Sequence, residues 1–288
     1  METRSKGGSV ADVLRKINLS AQNFAVHQEK TLRALSYCRT AALGGHIDAC
    51  DGCGNLSISY NSCRNRHCPQ CQGHKREEWI QKREQELLPC SYYHVVFTLP
   101  EELNGLAISQ PALLYKTLFE AAWATLNQFG KNKGIQLGMI AILHTWGQNL
   151  SLHPHLHCIV PGGGINKQGK WRAEIESDKY LFCVKAMSKV FRAKFVALLR
   201  ASGIKDQDLI DQLFTKSWVV YGKRPFGRPK SVIEYLGRYT HKVAISNHRI
   251  KEVTDNEVRF GYKDYRKEGQ KKVMTLSNTE FVRRFSIH

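Results

Sequence analysis

Two histidines separated by one apolar residue, His155-Leu156-His157 in the run SLHPHLHCIVPGGG, carry the most chemical information in this chain. In an extended segment alternate side chains share a face, so the two imidazoles stand side by side while Leu156 turns into the core. Neutral imidazoles on a rigid strand form a partial metal site whose open positions can take substrate oxygens. His144 ends another apolar run, GMIAILH, eleven residues before His155, and TWGQNLSLHP between them suits the loop of a hairpin. Three imidazoles could then hold one divalent ion. Gln148 is the alternative third ligand if the hairpin register differs, and Pro154 argues against His153. Further on, Tyr235-Leu236-Gly237-Arg238-Tyr239 places two phenols at helical i,i+4 spacing, on one face. Metal-binding histidines followed by a tyrosine pair point to a nuclease that attacks DNA through tyrosine. A phenol ionises near pH ~10, so it needs activation, for which Arg238, His241 and Lys242 are the local candidates. The competing reading makes one or both rings ordinary core aromatics.

A second chemistry precedes the first. Cys50-x2-Cys53 and Cys68-x2-Cys71 are two knuckle-type pairs fourteen residues apart. Each pair can offer two thiolates from a tight turn, so together they would close a tetrahedral structural zinc site. Cys38, His46, Cys63 and His67 remain for a second zinc ion; alternatively Cys38 packs in a helix and the histidines lie at the surface. The stretch SCRNRHCPQCQGHKR interleaves these ligands with Arg64 and Arg66, guanidinium groups suited to phosphate.

With 43 Lys and Arg against 25 Asp and Glu, a net charge of +18 favours a polyanionic partner. Nucleic acid is the default, with an anionic membrane surface as runner-up. No apolar run reaches the ~18 residues of a membrane span, and METRSKGGSVADVLRK lacks the apolar segment of a secretory signal. A cytoplasmic location with reduced, metal-binding thiols follows as the expectation.

The elements that must position these groups are readable from periodicity. Short helices are expected within 10–37, and GHKREEWIQKREQELL should form a helix linking two domains. SYYHVVFTLP reads as a strand ended by Pro100. PALLYKTLFEAAWATLNQFG reads as an amphipathic helix with Pro111 at its start. Strands ending at His144 and spanning 153–160 follow, with Pro161-Gly162-Gly163-Gly164 closing the second and admitting another backbone. Helices over 185–201 and 206–214, the strand SWVVYG, a hairpin turning at Asp255-Asn256, the strand KKVMTL and a helix from Asn278 complete the chain. The hairpins imply antiparallel pairing, so an α+β sandwich is expected rather than a doubly wound sheet. The division expected is 1–90 for the helices, zinc module and linker, and 91–288 for the catalytic domain. The basic loop KRPFGRPK, with Arg228 and Lys230, leads to the tyrosines; with Arg64, Arg66, Arg238 and Lys242 it supplies the candidate DNA contacts. Between Gly222 and Lys272, fourteen Lys and Arg against six Asp and Glu alternate with aromatics, as single-strand binding favours.

Taken together, CRTAALGGH, CDGCG, SCRNRHCPQCQ, LHTWGQNLSLHPHLHCIVPGGG and YLGRYTHKVAISNHRI resemble the insertion sequence 91 family of HUH (histidine-hydrophobic-histidine) transposases over nearly the whole chain. The resemblance implies a metal-dependent single-strand DNA endonuclease and strand transferase that moves DNA by rolling-circle replication. It implies a zinc-binding N-terminal module and an HUH domain whose central antiparallel sheet is flanked by helices. His155 and His157 carry over as ligands to Mg²⁺ or Mn²⁺ and Tyr235 and Tyr239 as nucleophiles, while His144 matches the third histidine of the related relaxases. Family members usually continue beyond FVRRFSIH, so a shortened copy is also implied. Two rivals stand beside this reading: a non-catalytic zinc-containing DNA-binding remnant, and a replication initiator or relaxase using the same chemistry on an origin.

Overall fold

The computed structural model describes residues 8–173, 181–223, 237 and 243–288. In chain order the elements are α1 (Val10–Arg15), α2 (Val26–Ser36), β1 (Gly45–Ala49), β2 (Leu56–Tyr60), α3 (Gln72–Glu84) and β3 (Tyr92–Thr98). Then come α4 (Asn104–Ser109), α5 (Pro111–Asn132), β4 (Ile135–Gln136), β5 (Ile140–Trp146), β6 (Leu152–Pro161), β7 (Gly163–Asn166) and β8 (Trp171–Ala173). The described chain continues through α6 (Val184–Ala201), α7 (Gln207–Thr215), β9 (Val220–Lys223), β10 (Ile250–Val253), β11 (Glu257–Asp264), β12 (Gln270–Ser277) and a helix at Asn278–Ser286. The mixed α+β class with antiparallel sheets is as expected. None of the described helices is long and apolar enough to cross a membrane.

Two compact units share the chain, one drawing on Ile80–Thr145 and Leu152–Tyr239, the other on Met1–Trp79, Trp146–Ser151 and Thr240–His288. The first is built on a four-stranded sheet in the order β5-β6-β3-β9, with β3 antiparallel to both β6 and β9. Alternation divides this sheet cleanly. Tyr93, Val95 and Phe97 of β3 and Leu156, Cys158 and Val160 of β6 enter one core with α5 and α6. Helix α5 begins at Pro111, whose missing N–H costs nothing at a first helical position, and buries Leu114, Leu118, Ala121, Ala122 and Leu126 as one stripe. From α6, Phe191 meets Phe97 at a ring separation of 4.8 Å and Trp218 at 5.3 Å. The opposite strand face is thereby left for the polar residues of β3, β5 and β6.

The other unit has its own core, in which Val13 and Leu14 of α1 and Leu32 and Leu35 of α2 pack with Val258, Phe260, Phe281 and Phe285. Its three-stranded sheet runs β10-β11-β12, antiparallel throughout. Leu150, in the turn between β5 and β6, is fully buried in this core although its φ of 62° is costly for a side chain with a Cβ. Membership of this unit departs from the expected division at residue 90: the segment after 240 folds with the N-terminal helices. The physical reason is the apolar face of Asn278–Ser286, whose Phe281, Val282 and Phe285 are buried in that core. At the head of that helix, Ser277 Oγ accepts from the Glu280 N–H at 3.2 Å, and Glu280 bridges Arg283 at 2.6 Å and Arg284 at 2.7 Å.

Two stability measurements check this packing. Phe191→Ala removes a fully buried ring and should destabilise the sheet-bearing unit by about 3–5 kcal/mol in urea unfolding; a loss under about 1 kcal/mol would contradict the core described. Hydrogen bonds from Arg283 and Arg284 draw the Glu280 carboxyl from its ordinary 4.5 to about 2. Because the folded value lies below the unfolded one, this contribution is present above 4.5 and lost as pH falls toward 2. Glu280→Gln should therefore melt at a lower temperature than the parent protein at neutral pH, with the gap closing on acidification.

Candidate functional site

Antiparallel register brings the histidines together. On β3 and β6, Val96 faces His157 and Thr98 faces His155, so both imidazoles leave the sheet on the face away from α5 and α6. On β5, Ala141 and Leu143 pack toward the helix-side core, which turns His144 to the histidine face. One nitrogen from each of His144, His155 and His157 lies within 4.8 Å of the others, close enough for all three to share one ion. Ring centroids are 5.4 Å apart for His144 and His155, 4.6 Å for His144 and His157, and 4.9 Å for His155 and His157. His144 and His157 are buried and His155 half-buried.

Tautomer is constrained from behind. His155 Nδ1 lies 2.6 Å from the backbone carbonyl of His153. A carbonyl only accepts, so Nδ1–H donates and the Nε2 lone pair stays available for a metal. His157 Nδ1 lies 2.8 Å from Nε2 of His94, a buried residue of β3 whose ring is nearly parallel to that of His157, with centroids 5.0 Å apart. His94 is diagonal to His157 across the pair, since its direct partner is Ile159. It is the functional residue that sequence reasoning missed. Its signal was its parity in YYHVVFT, two residues from Val96 on the same face. The hairpin turn holds Gln148, whose backbone carbonyl accepts from Arg249. Tyr235 and Tyr239, with Arg228, Lys230, Arg238, His241 and Lys242, lie outside the described residues.

The thiols assemble differently from the expected pairing. Cys68 and Cys71 are grouped with Cys38 and Cys63, all four sulfurs within 4.8 Å of one another. Sulfur separations are 3.5 Å for Cys38 and Cys71, 3.5 Å for Cys38 and Cys68, and 3.7 Å for Cys63 and Cys71. A regular tetrahedron with Zn–S bonds of ~2.3 Å has edges of about 3.8 Å, so the sulfurs stand where zinc would hold them. Cys50 and Cys53 are instead exposed in the β1–β2 turn. The reason is the length of that hairpin. Arg39 N–H donates to Asn61 O at its base, and five-residue strands carry its tip roughly 16 Å farther out. His46 is exposed on β1 beside Asp48 at 3.6 Å, and His67 is half-buried, its pKa lowered by burial and by Arg66. Neither joins the cluster. Arg64 and Arg66 alternate outward between the ligands and are exposed.

Burial pushes the Cys63 thiol up to about 11 and raises Cys68 as well. It opposes ionisation of Cys71 too, but hydrogen bonds from Cys38, Cys68 and Cys63 hold that thiol below its ordinary value. Two of these sulfurs belong to buried and two to partly buried residues, so desolvation opposes full ionisation of the set. A cation is what makes further thiolates favourable, as expected of a Cys₄ metal set.

Comparison with known proteins fits both clusters. Residues 138–288 match a family described as putative transposase, and residues 10–99 match a transposase zinc-binding domain. The chain is 43% identical over 307 positions to the putative transposase y4qJ of Sinorhizobium fredii, covering 98% of this chain and 77% of that protein. It is 28% identical over 272 positions to the transposase for insertion sequence element IS801 of Pseudomonas savastanoi pv. phaseolicola, covering 90% of this chain and 66% of that protein. No solved structure matches the chain. The histidine cluster falls within the first matched region and the cysteine cluster within the second, and the chain belongs to the insertion sequence 91 family of transposases that carry an N-terminal zinc-binding domain.

Proposed function

We propose that the protein cleaves and rejoins single-stranded DNA at the ends of its element through a 5′-phosphotyrosine, in a rolling-circle transposition. The observation that carries this reading is the convergence of His144, His155 and His157 from adjacent strands onto the sheet face opposite α5 and α6. The three nitrogens suit a divalent ion, Mg²⁺ or Mn²⁺, with positions open for the non-bridging oxygens of a phosphate. When bound, that ion supplies the positive charge that offsets the negative charge developing on those oxygens.

The residues divide the remaining work. His155 is held as an Nε2 ligand by its Nδ1–H bond to His153 O. His157 can present Nε2 to the ion while its Nδ1–H donates to His94, so His94 orients the ligand from the second layer. Tyr235 or Tyr239 supplies the phenolic oxygen. Its bond to phosphorus forms as the P–O3′ bond breaks; the phenol gives up its proton, and the departing oxygen ends as a free 3′-hydroxyl. The new bond is still a phosphodiester, so attack by a 3′-hydroxyl can reverse the step without a nucleotide triphosphate. A second tyrosine allows a second cleavage while the first holds its strand. The Cys38, Cys63, Cys68 and Cys71 set holds structural zinc and braces the module bearing Arg64 and Arg66, which engages DNA phosphates.

Incubation with single-stranded oligonucleotides carrying the element ends and Mn²⁺ should yield covalent protein–DNA adducts on denaturing gels. The Tyr235→Phe, Tyr239→Phe double variant and His157→Ala should give none. His94→Leu should still form adducts, with its metal titration displaced about 10- to 100-fold. Adducts surviving the double variant would remove the tyrosines from the mechanism, and binding without adducts under any metal would leave a DNA-binding remnant. Separately, Cys63→Ser should lose the tightly held zinc measured by elemental analysis, whereas Cys50→Ser should keep that ion. The reverse outcome would restore the Cys50 and Cys53 ligand set.

A further inference from the structure

A second small sheet, in the order β4-β7-β8, sits beside an apolar cavity of about 680 Å³. Leu88, Gln136, Leu137, Pro161, Ile165 and Trp171 are among its walls. This volume lies in the usual range of small-ligand sites, ~300–1,000 Å³. Trp171 is 41% exposed and stands across the β7–β8 pair from Ile165. Gly163 lies against the Trp171 ring and Gly164 against β4. A Cβ on Gly163 would come within 2.7 Å of the Trp171 ring, and one on Gly164 within 2.3 Å of the Gln136 carbonyl oxygen. The glycine run after the histidine motif therefore seats an indole against backbone and packs β4 beside it. The indole therefore lines the cavity while part of its surface remains exposed.

The surroundings select the occupant. From residue 121 to residue 173 the chain has no Asp or Glu, while Lys131, Lys133, Lys167, Lys170 and Arg172 fall in or beside this sheet. Lys167 and Lys170 are exposed on the β7–β8 turn, which Asn166 Oδ1 stiffens by accepting from the N–H groups of Gln168 and Lys170, each at 3.0 Å. Arg172 reaches the Lys133 carbonyl at 3.3 Å from the other face of β8. An apolar cavity with an aromatic wall and a cationic rim matches a base with its phosphate. Gln136 adds a carboxamide that can both donate to and accept from a base edge. Pro161 is four residues beyond His157 on β6, roughly 13 Å along the strand.

We propose that this cavity takes an unpaired base of single-stranded DNA, stacked on Trp171, with the flanking phosphates along Lys167 and Lys170. The inference rests on the reading of the protein as a single-strand nuclease and deepens it, by fixing the bound strand a short way from the scissile phosphate. Fluorescein-labelled oligothymidylate binding should weaken about tenfold in Trp171→Ala and stay near the parent value in Trp171→Phe. A single abasic position walked along the oligonucleotide should reproduce that loss at one place in the parent protein and have no effect there in Trp171→Ala. Irradiation with 5-iododeoxyuridine at that place should crosslink to Trp171, as read by mass spectrometry. Equal affinity of Trp171→Ala and parent, or crosslinks confined to other residues, would overturn the base pocket while leaving the nuclease reading intact. A parent protein with no affinity for single strands would instead overturn both.

Discussion

The pairing register of β3 with β6 is the constraint on which the candidate active centre depends. With Val96 opposite His157 and Thr98 opposite His155, one face of the sheet goes to α5 and α6 and the other to imidazoles. A slip of one residue would bury the histidines among Phe97, Phe191 and Leu118 and expose Leu156 and Cys158. Both outcomes are costly, since an imidazole buried there would lack partners and the core would lose its apolar surface. The same hydrophobic burial that stabilises the sheet therefore aims the three imidazoles. No separate energy has to be spent on orienting them.

Around that register the ligands are braced rather than simply present. His155 is held through the His153 carbonyl two residues back on its own strand, and His157 through His94, diagonal to it on β3. Both act on the nitrogen that faces away from the proposed ion, which decides the tautomer on the near side. The cysteine cluster follows another logic. Its ligands come from the end of α2, the foot of the β1–β2 hairpin and the turn before α3, so no single local element prefigures it.

Much of the fold could be read from the chain, because long periodic segments report their own structure. Pro111 marks the start of α5, and the alternation of SLHPHLHCIV carries into β6 with Leu156 inward and His157 outward. What could not be read was non-local. Knuckle spacing marks Cys50-x2-Cys53 and Cys68-x2-Cys71 as candidate metal-binding turns, but which thiols meet depends on how far the hairpin carries its tip. His94 looked like one more residue of an apolar strand until pairing placed it diagonal to His157. Likewise, that the segment after 240 would fold with the N-terminal helices depends on Phe281 and Phe285 finding Leu14 and Leu35, which no window of sequence displays.

The β1–β2 hairpin is exposed along nearly its whole length and gives no side chain to either core. Its foot is held between Cys38 and Cys63, both in the sulfur cluster. Such an arm resembles a cassette clipped into a socket, since a change at its tip removes no contact from either core. Transplanting one hairpin into another member's socket is thus a practical route to altering what the zinc module touches.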